Sequence, residues 1–163
     1  MSRFTFRRGV PADARAINST RCAVIRDSPI GFFPLSTSEE LASYQDTTPN
    51  IDAFAKKIAA EEEIVIIIEL PMTVVGFSSF SPSDGVLRAL YIHSGYMGCG
   101  LGHELLRHIE REAREQNVRE MRLSVPFQSQ TFYANNGFLV VGPDATVIGS
   151  KKRIGTISMS KKL

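Results

Sequence analysis

Three glycines alternate in the stretch Ser94-Gly-Tyr-Met-Gly98-Cys-Gly100-Leu-Gly102-His-Glu-Leu-Leu106. Glycine accepts positive φ and lets other atoms approach the main chain closely. Before the loop, Val86 to His93 read as a strand; after it, Leu101 to Gln116 read as an amphipathic helix. A helix that starts directly after such a turn presents unpaired N–H groups and the positive end of its dipole, which together attract anions. The chemistry on offer is a phosphate cradle made of backbone. It is not a P-loop, because no Gly-x-x-x-x-Gly-Lys is present, and Gly98-x-Gly100-x-Gly102 is not the Gly-x-Gly-x-x-Gly of dinucleotide folds. No acidic residue follows in the βαβ context such folds require.

Other reactive side chains have competing readings. Cys99 lies near a helix start, where a thiol pKa falls, yet it also lies where the phosphates would sit. His93 is a base or a polar strand end. His103 and His108 fall on the charged side of the helix and read as surface residues, with the His103 amide turned to the cradle. Tyr133, within Phe132-Tyr-Ala-Asn-Asn-Gly-Phe138, reads by itself as an amphipathic packing residue ahead of Gly137. Glu61-Glu62-Glu63 reads as a solvated helix end.

The elements that must position these groups follow from periodicity. Phe4, Phe6 and Val10 form a first strand, and Pro11-Ala-Asp13 opens a helix through Ala14, Ile17, Val24 and Ile25. Asp27 to Ser38 is a loop with an apolar stretch, Ile30 to Leu35. Thr37 with Glu40 looks like a capping box, Pro49-Asn50 interrupts that helix, and Ile51, Phe54, Ala55, Ile58 and Ala59 mark another helical face. Ile64 to Leu70 and Val74 to Phe80 are strands joined at Pro71-Met72. Beyond the glycine loop and its helix come a strand (Met121 to Val125), a short helix (Gln128 to Asn135) and two strands (Phe138 to Val141, Ile154 to Met159). Helices interleave with strands while three strands run consecutively, which predicts an α/β sheet, part antiparallel and part parallel.

Bulk properties exclude several classes. The 163 residues suit one domain, and 43% hydrophobic with 22% charged residues is ordinary for a globular chain. A net charge of +2 without a basic stripe argues against nucleic acid. The longest apolar run, Ile64 to Ile68, is too short to cross a membrane, and the first residues alternate like a strand rather than a signal peptide. Cys22 and Cys99 fit no metal or redox spacing and suit a reducing compartment, so the cytoplasm is the expected location.

Leu90-Tyr-Ile-His93, Gly98-Cys-Gly-Leu-Gly-His-Glu-Leu-Leu106 and Phe132-Tyr-Ala-Asn-Asn-Gly-Phe138 together resemble the GNAT acyltransferase superfamily. The likeness extends to element order over essentially the whole chain and is closest to small stand-alone members. It implies a central mixed, mostly antiparallel sheet of about seven strands flanked by helices, in one domain over residues 1–163. That sheet is splayed between strands four and five, with coenzyme A in the gap. The implied activity is acetyl-CoA-dependent N-acetyl transfer by direct attack in a ternary complex, with no metal. Leu90, Tyr91, Ile92, Met97, Gly98, Cys99, Gly100, Leu101, Gly102 and His103 are the implied acyl-CoA contacts. The resemblance places an oxyanion donor on the main chain near Tyr91 and Ile92, where a bulged strand end leaves an N–H unpaired. It places Tyr133 beside the thioester sulfur as the acid, and Phe32 and Phe33 over the acceptor.

Two positions depart from the family pattern. Met97 stands where a glutamine or arginine usually opens the loop, losing a charge-assisted contact of ~1.5–3 kcal/mol. Arg88 stands where the family often has a carboxylate base, and arginine cannot accept a proton. The base is then Glu69, Asp84 or His93, or water relays the proton, or the acceptor amine has a low pKa. Arg88 itself faces solvent or grips an acidic acceptor. The expected acceptor is a primary amine of a small molecule. The alternatives are a protein N-terminus or lysine, and, in another class, a non-catalytic acyl-CoA sensor. No nucleic acid or membrane partner is expected; a homodimer is left open.

Overall fold

The computed structural model describes residues 3–27, 48–148 and 152–163. The apolar loop with Phe32 and Phe33, and the Thr37–Glu40 cap, lie outside the described residues. The apolar run becomes β2 (Ile64–Leu70), with Ile64, Ile66 and Ile68 in one packed layer and Val65 and Ile67 in the other. A strand covered on both faces needs no alternation, hence its unbroken apolar sequence. By contrast, β5 (Glu120–Val125) buries Met121, Leu123 and Val125 and exposes the residues between them. The remaining strands are β1 (Thr5–Arg8), β3 (Thr73–Ser81), β4 (Val86–Ile92), β6 (Leu139–Ile148) and β7 (Lys152–Lys162). Their order is β1-β2-β3-β4-β5-β7-β6, and every neighbouring pair is antiparallel except β4 with β5.

One layer consists of α1 (Ala14–Asp27) and α2 (Thr48–Ala59), packed through Ile17, Phe54 and Ile58 onto Val65, Ile67, Phe77 and Ala89. Asp13 starts α1 by accepting the Val10 N–H at 2.7 Å. The other layer is α3 (Leu101–Glu115), whose stripe of Leu101, Leu105, Leu106, Ile109 and Ala113 meets the opposite face, with the short α4 (Gln130–Asn135) beside it. α4 starts later than the expected Gln128, because Phe127–Ser129 forms a 3-10 turn after Pro126. The last two strands outrun the expected Phe138–Val141 and Ile154–Met159. Gly142 and Pro143 read as breakers, but β6 is the sheet edge, where proline's missing N–H can face outward.

β4 carries the feature that shapes the site. Ser79 lies opposite Ala89 while Phe80 lies opposite Leu87, so Arg88 is an extra residue. The bulge exchanges faces: Leu87 packs in the α3 layer, Ala89 and Tyr91 in the α1–α2 layer, and Leu90 and Ile92 in the α3 layer again. The bulge expected at the strand end near Tyr91 and Ile92 therefore sits at Arg88, since Tyr91 and Ile92 pair regularly with Phe77 and Gly76. β4 and β5 meet at a single bridge, Val86 opposite Arg122, backed by the Arg122 N–H to Gly85 O at 2.9 Å. Past that bridge they part, giving the splay between strands four and five.

Candidate functional site

Because β4 and β5 are parallel and joined only at Val86, their C-terminal ends open on the same mouth. Ligands of open α/β sheets bind at such ends. The His93 N–H donates to Val75 O at 2.8 Å, which fixes the phase of the β3–β4 ladder. Tyr91 then bonds towards β3, while the main-chain groups of Leu90 and Ile92 point the other way, into the gap.

β4 runs through a 3-10 turn, Ser94–Tyr96, into the glycine loop. Gly98 and Gly100 have φ of 78° and 79°, a backbone that side-chained residues rarely adopt, and nothing lies within 4 Å of where a Cβ would be. Gly100 caps α3 without any side-chain acceptor, and the first amide of α3 with a main-chain acceptor is Glu104, bonded to Gly100 O at 3.2 Å. The N–H groups of Leu101, Gly102 and His103 are thus left for a ligand. The Leu101 side chain is buried in the core, so only its amide can contribute. Cys99 is exposed, its Sγ 3.9 Å from Met97 O. Met97 is 62% exposed and brings no charge.

The segment following β5 is fastened to this loop. A Cβ on Gly102 would meet the Phe132 ring at 3.2 Å, so this glycine exists to admit a neighbour rather than to bend the chain. Phe132 packs edge-on to Tyr133, and Tyr133 edge-on to Phe138. Asn136 joins the two motifs: its Nδ2 donates to Phe132 O at 2.8 Å, and its Oδ1 lies 2.9 Å from His103 Nδ1. Reading the sequence missed Asn136; the signal present was the Asn-Asn doublet ahead of Gly137.

Tyr133 is 6% exposed. Burial pushes its phenol well above the usual tyrosine range, and the Tyr91 phenol adds to the effect. Burial therefore favours the neutral phenol over the phenolate at this ring. The base candidates are all engaged. Arg7 grips Glu69 at 3.0 Å and Asp13 at 2.8 Å. Asp84 pairs with Arg88 at 2.6 Å; burial works against its charge, but the Val86 N–H, Ser81 and Arg88 outweigh that and hold it below the usual carboxylate range. His93 Nδ1 accepts the Gly95 N–H at 3.3 Å, capping the 3-10 turn. His108 is not a plain surface residue: it stacks on Phe6 at 4.7 Å, and burial lowers its pKa. Among the described residues no group of His, Cys, Asp or Glu is placed to hold a metal ion, and no helix is long and apolar enough to cross a membrane.

A family model described as an acetyltransferase (GNAT) domain matches residues 34–163. No curated protein matches the sequence. Among solved structures, a GCN5-related N-acetyltransferase from Rhodopseudomonas palustris is similar at TM-score 0.82 and 22% identity, covering 100% of this chain and 98% of that one. The PaiA N-acetyltransferase of Thermoplasma acidophilum, in complex with coenzyme A, aligns at TM-score 0.77 and 18% identity over 100% of both chains. YncA of Salmonella typhimurium, with its cofactor acetyl-CoA, aligns at TM-score 0.71 and 20% identity, covering 99% of this chain and 95% of that one. At such identities the likeness is one of fold.

Proposed function

The chain belongs to the GNAT acetyltransferase family, and from that premise we propose that it moves an acetyl group from acetyl-CoA to a primary amine of a small molecule. The observation that carries this reading is the open main chain at Gly98 and Gly100 ahead of the uncapped start of α3. A diphosphate supplies the acceptors those amides lack. The acyl arm then enters the gap between β4 and β5. The amine nitrogen attacks the thioester carbon, and the developing oxyanion meets the Leu90 or Ile92 N–H. As the C–S bond breaks, Tyr133 donates to the leaving thiolate. Its raised pKa makes hydrogen-bond donation in the transition state the larger part of that role.

The three candidate bases for the proton lost by the amine, Glu69, Asp84 and His93, are all engaged with other partners. That proton leaves through water, so the acceptor must arrive neutral, at a cost of about 4.6 kcal/mol for a lysine-like amine at neutral pH. A thiol-release assay with saturating acetyl-CoA over polyamines, amino acids, aminoglycosides and peptides tests the proposal. The expected result is turnover on a small amine, rising about ten-fold per pH unit until the acceptor's own pKa. Turnover confined to peptides would make the chain a protein acetyltransferase. Silence across the panel, with acetyl-CoA still bound, would make it a sensor, the reading that Met97 and Arg88 favour.

A further inference from the structure

We infer that Arg21 binds a carboxylate on the amine acceptor, so that the substrate is an amine that also carries an acid group, as an amino acid does. The inference rests on the acetyl-transfer reading above. Arg21 stands on α1, and its guanidinium carbon lies 5.2 Å from the centre of the Phe54 ring and 5.4 Å from that of Phe77. Both rings are buried, so they hold the group in place. A guanidinium that rests its faces on aromatic rings keeps its five N–H donors along its edges. Among the described residues no carboxylate or carbonyl pairs with those donors. A partly buried charge without a counter-ion is costly, and a ligand carboxylate removes that cost. Its two oxygens match the planar fork. Other arginines of this region are taken: Arg88 pairs with Asp84 at 2.6 Å, and Arg122 donates to Asp84 O at 2.7 Å.

The fold puts this group at the mouth of the gap. Thr20, its neighbour on α1, donates to Val74 O at 3.3 Å, and the next residue of β3, Val75, receives the His93 N–H where β4 ends. α1 therefore crosses the sheet at the end where β4 and β5 part. Phe77 pairs with Tyr91 in the β3–β4 ladder, and their rings lie 5.5 Å apart. Tyr91 stands between Leu90 and Ile92, whose main-chain groups point into the gap, and its phenol is near enough to Tyr133 to act on it electrostatically. Arg21, Phe77 and Tyr91 thus line one path along the α1–α2 face to the reacting centre. Phe77 is fully buried and serves as the support; Tyr91 is only partly buried and borders the route a substrate takes. An acceptor with its amine at the Leu90 and Ile92 amides passes Tyr91 and brings its carboxylate to the guanidinium edge. That span suits an amine and an acid separated by several carbons, as at the side-chain end of lysine.

Thiol release by the full chain with saturating acetyl-CoA is measured on matched acceptors: L-lysine with cadaverine, L-ornithine with putrescine, and phosphoethanolamine with ethanolamine. The parent should prefer the carboxylate-bearing member by about ten-fold or more in kcat/KM. Arg21→Met, which keeps an apolar stem on the two rings, should erase that preference through KM, with acetyl-CoA affinity by calorimetry staying within about two-fold. Arg21→Lys keeps the charge without the planar fork and should fall between parent and methionine variant. A loss shared equally by both members of a pair would make Arg21 a packing residue and overturn the inference, leaving acetyl transfer intact. A parent indifferent to the carboxylate overturns it too, even if the methionine variant folds poorly. Preference confined to phosphoethanolamine would overturn the carboxylate assignment in favour of a phosphate. Silence on every amine, with acetyl-CoA still bound, would overturn the small-amine reading and the inference together.

Discussion

Gly98 to Gly102 and Phe132 to Phe138 share the mouth of the β4–β5 gap, yet one is made by leaving side chains out and the other by packing them in. The loop has open space at two left-handed glycines, whereas the block has a phenylalanine and a tyrosine sunk in the core, meeting edge to face. The proposed reaction asks the first for room beside its main chain and the second for a rigid support behind the Tyr133 phenol. The regions touch where Gly102 admits Phe132 and where His103 meets Asn136. Changes in the block should register in stability, and changes in the loop should register in binding.

The sharpest way to break that contrast is Phe138→Ala, expected to cost about 3–5 kcal/mol in denaturant unfolding. A cost below about 1 kcal/mol would show that the block is not packed as described. Next comes Gly100→Val. Acetyl-CoA at 100 times its dissociation constant should stabilise the parent by about 2.7 kcal/mol, and the variant should lose that gain in thermal melts. If the variant is stabilised as well as the parent, the loop is not the cradle.

Tyr133→Phe crosses the divide, because it keeps the ring and removes only the hydroxyl. Turnover should fall ten-fold or more, about 1.4 kcal/mol on the barrier, while coenzyme A affinity stays within about two-fold. Steady-state kinetics beside calorimetry decide it. The same variant reports on the raised phenol pKa. Unfolded tyrosine ionises near ~10 and the buried one does not, so this contribution is complete below about pH 10 and is lost above it. Melts across that range should show a steeper alkaline decline in the parent than in the variant. Smallest is Arg88→Ala, which removes an exposed pair with Asp84 and should change stability by less than about 1 kcal/mol. A ten-fold rise in KM confined to acidic acceptors would instead show Arg88 gripping substrate.

What could be read from the sequence was local. Positive φ at Gly98 and Gly100, the apolar stripe of α3 and the doubly buried β2 each follow from a residue and its near neighbours. What could not be read depends on partners far along the chain. The bulge is defined by Ser79 and Phe80 against Ala89 and Leu87, and Glu69 is taken by Arg7, 62 residues away. Gly102 looks like its two companions, but its reason is a phenylalanine thirty positions on. The length of the final hairpin depended on knowing that β6 is an edge.

The extra residue in β4 bends the strand while leaving the partners on either side of it in step. Deleting position 88 would set Ala89 next to Leu87 in a regular ladder, and Leu90, Tyr91 and Ile92 would keep their partners on β3 and their sides of the sheet. Substituting it leaves that register untouched. The strand should accept almost any amino acid there, so diversification can be aimed at position 88 with the Leu90 and Ile92 amides left where they are.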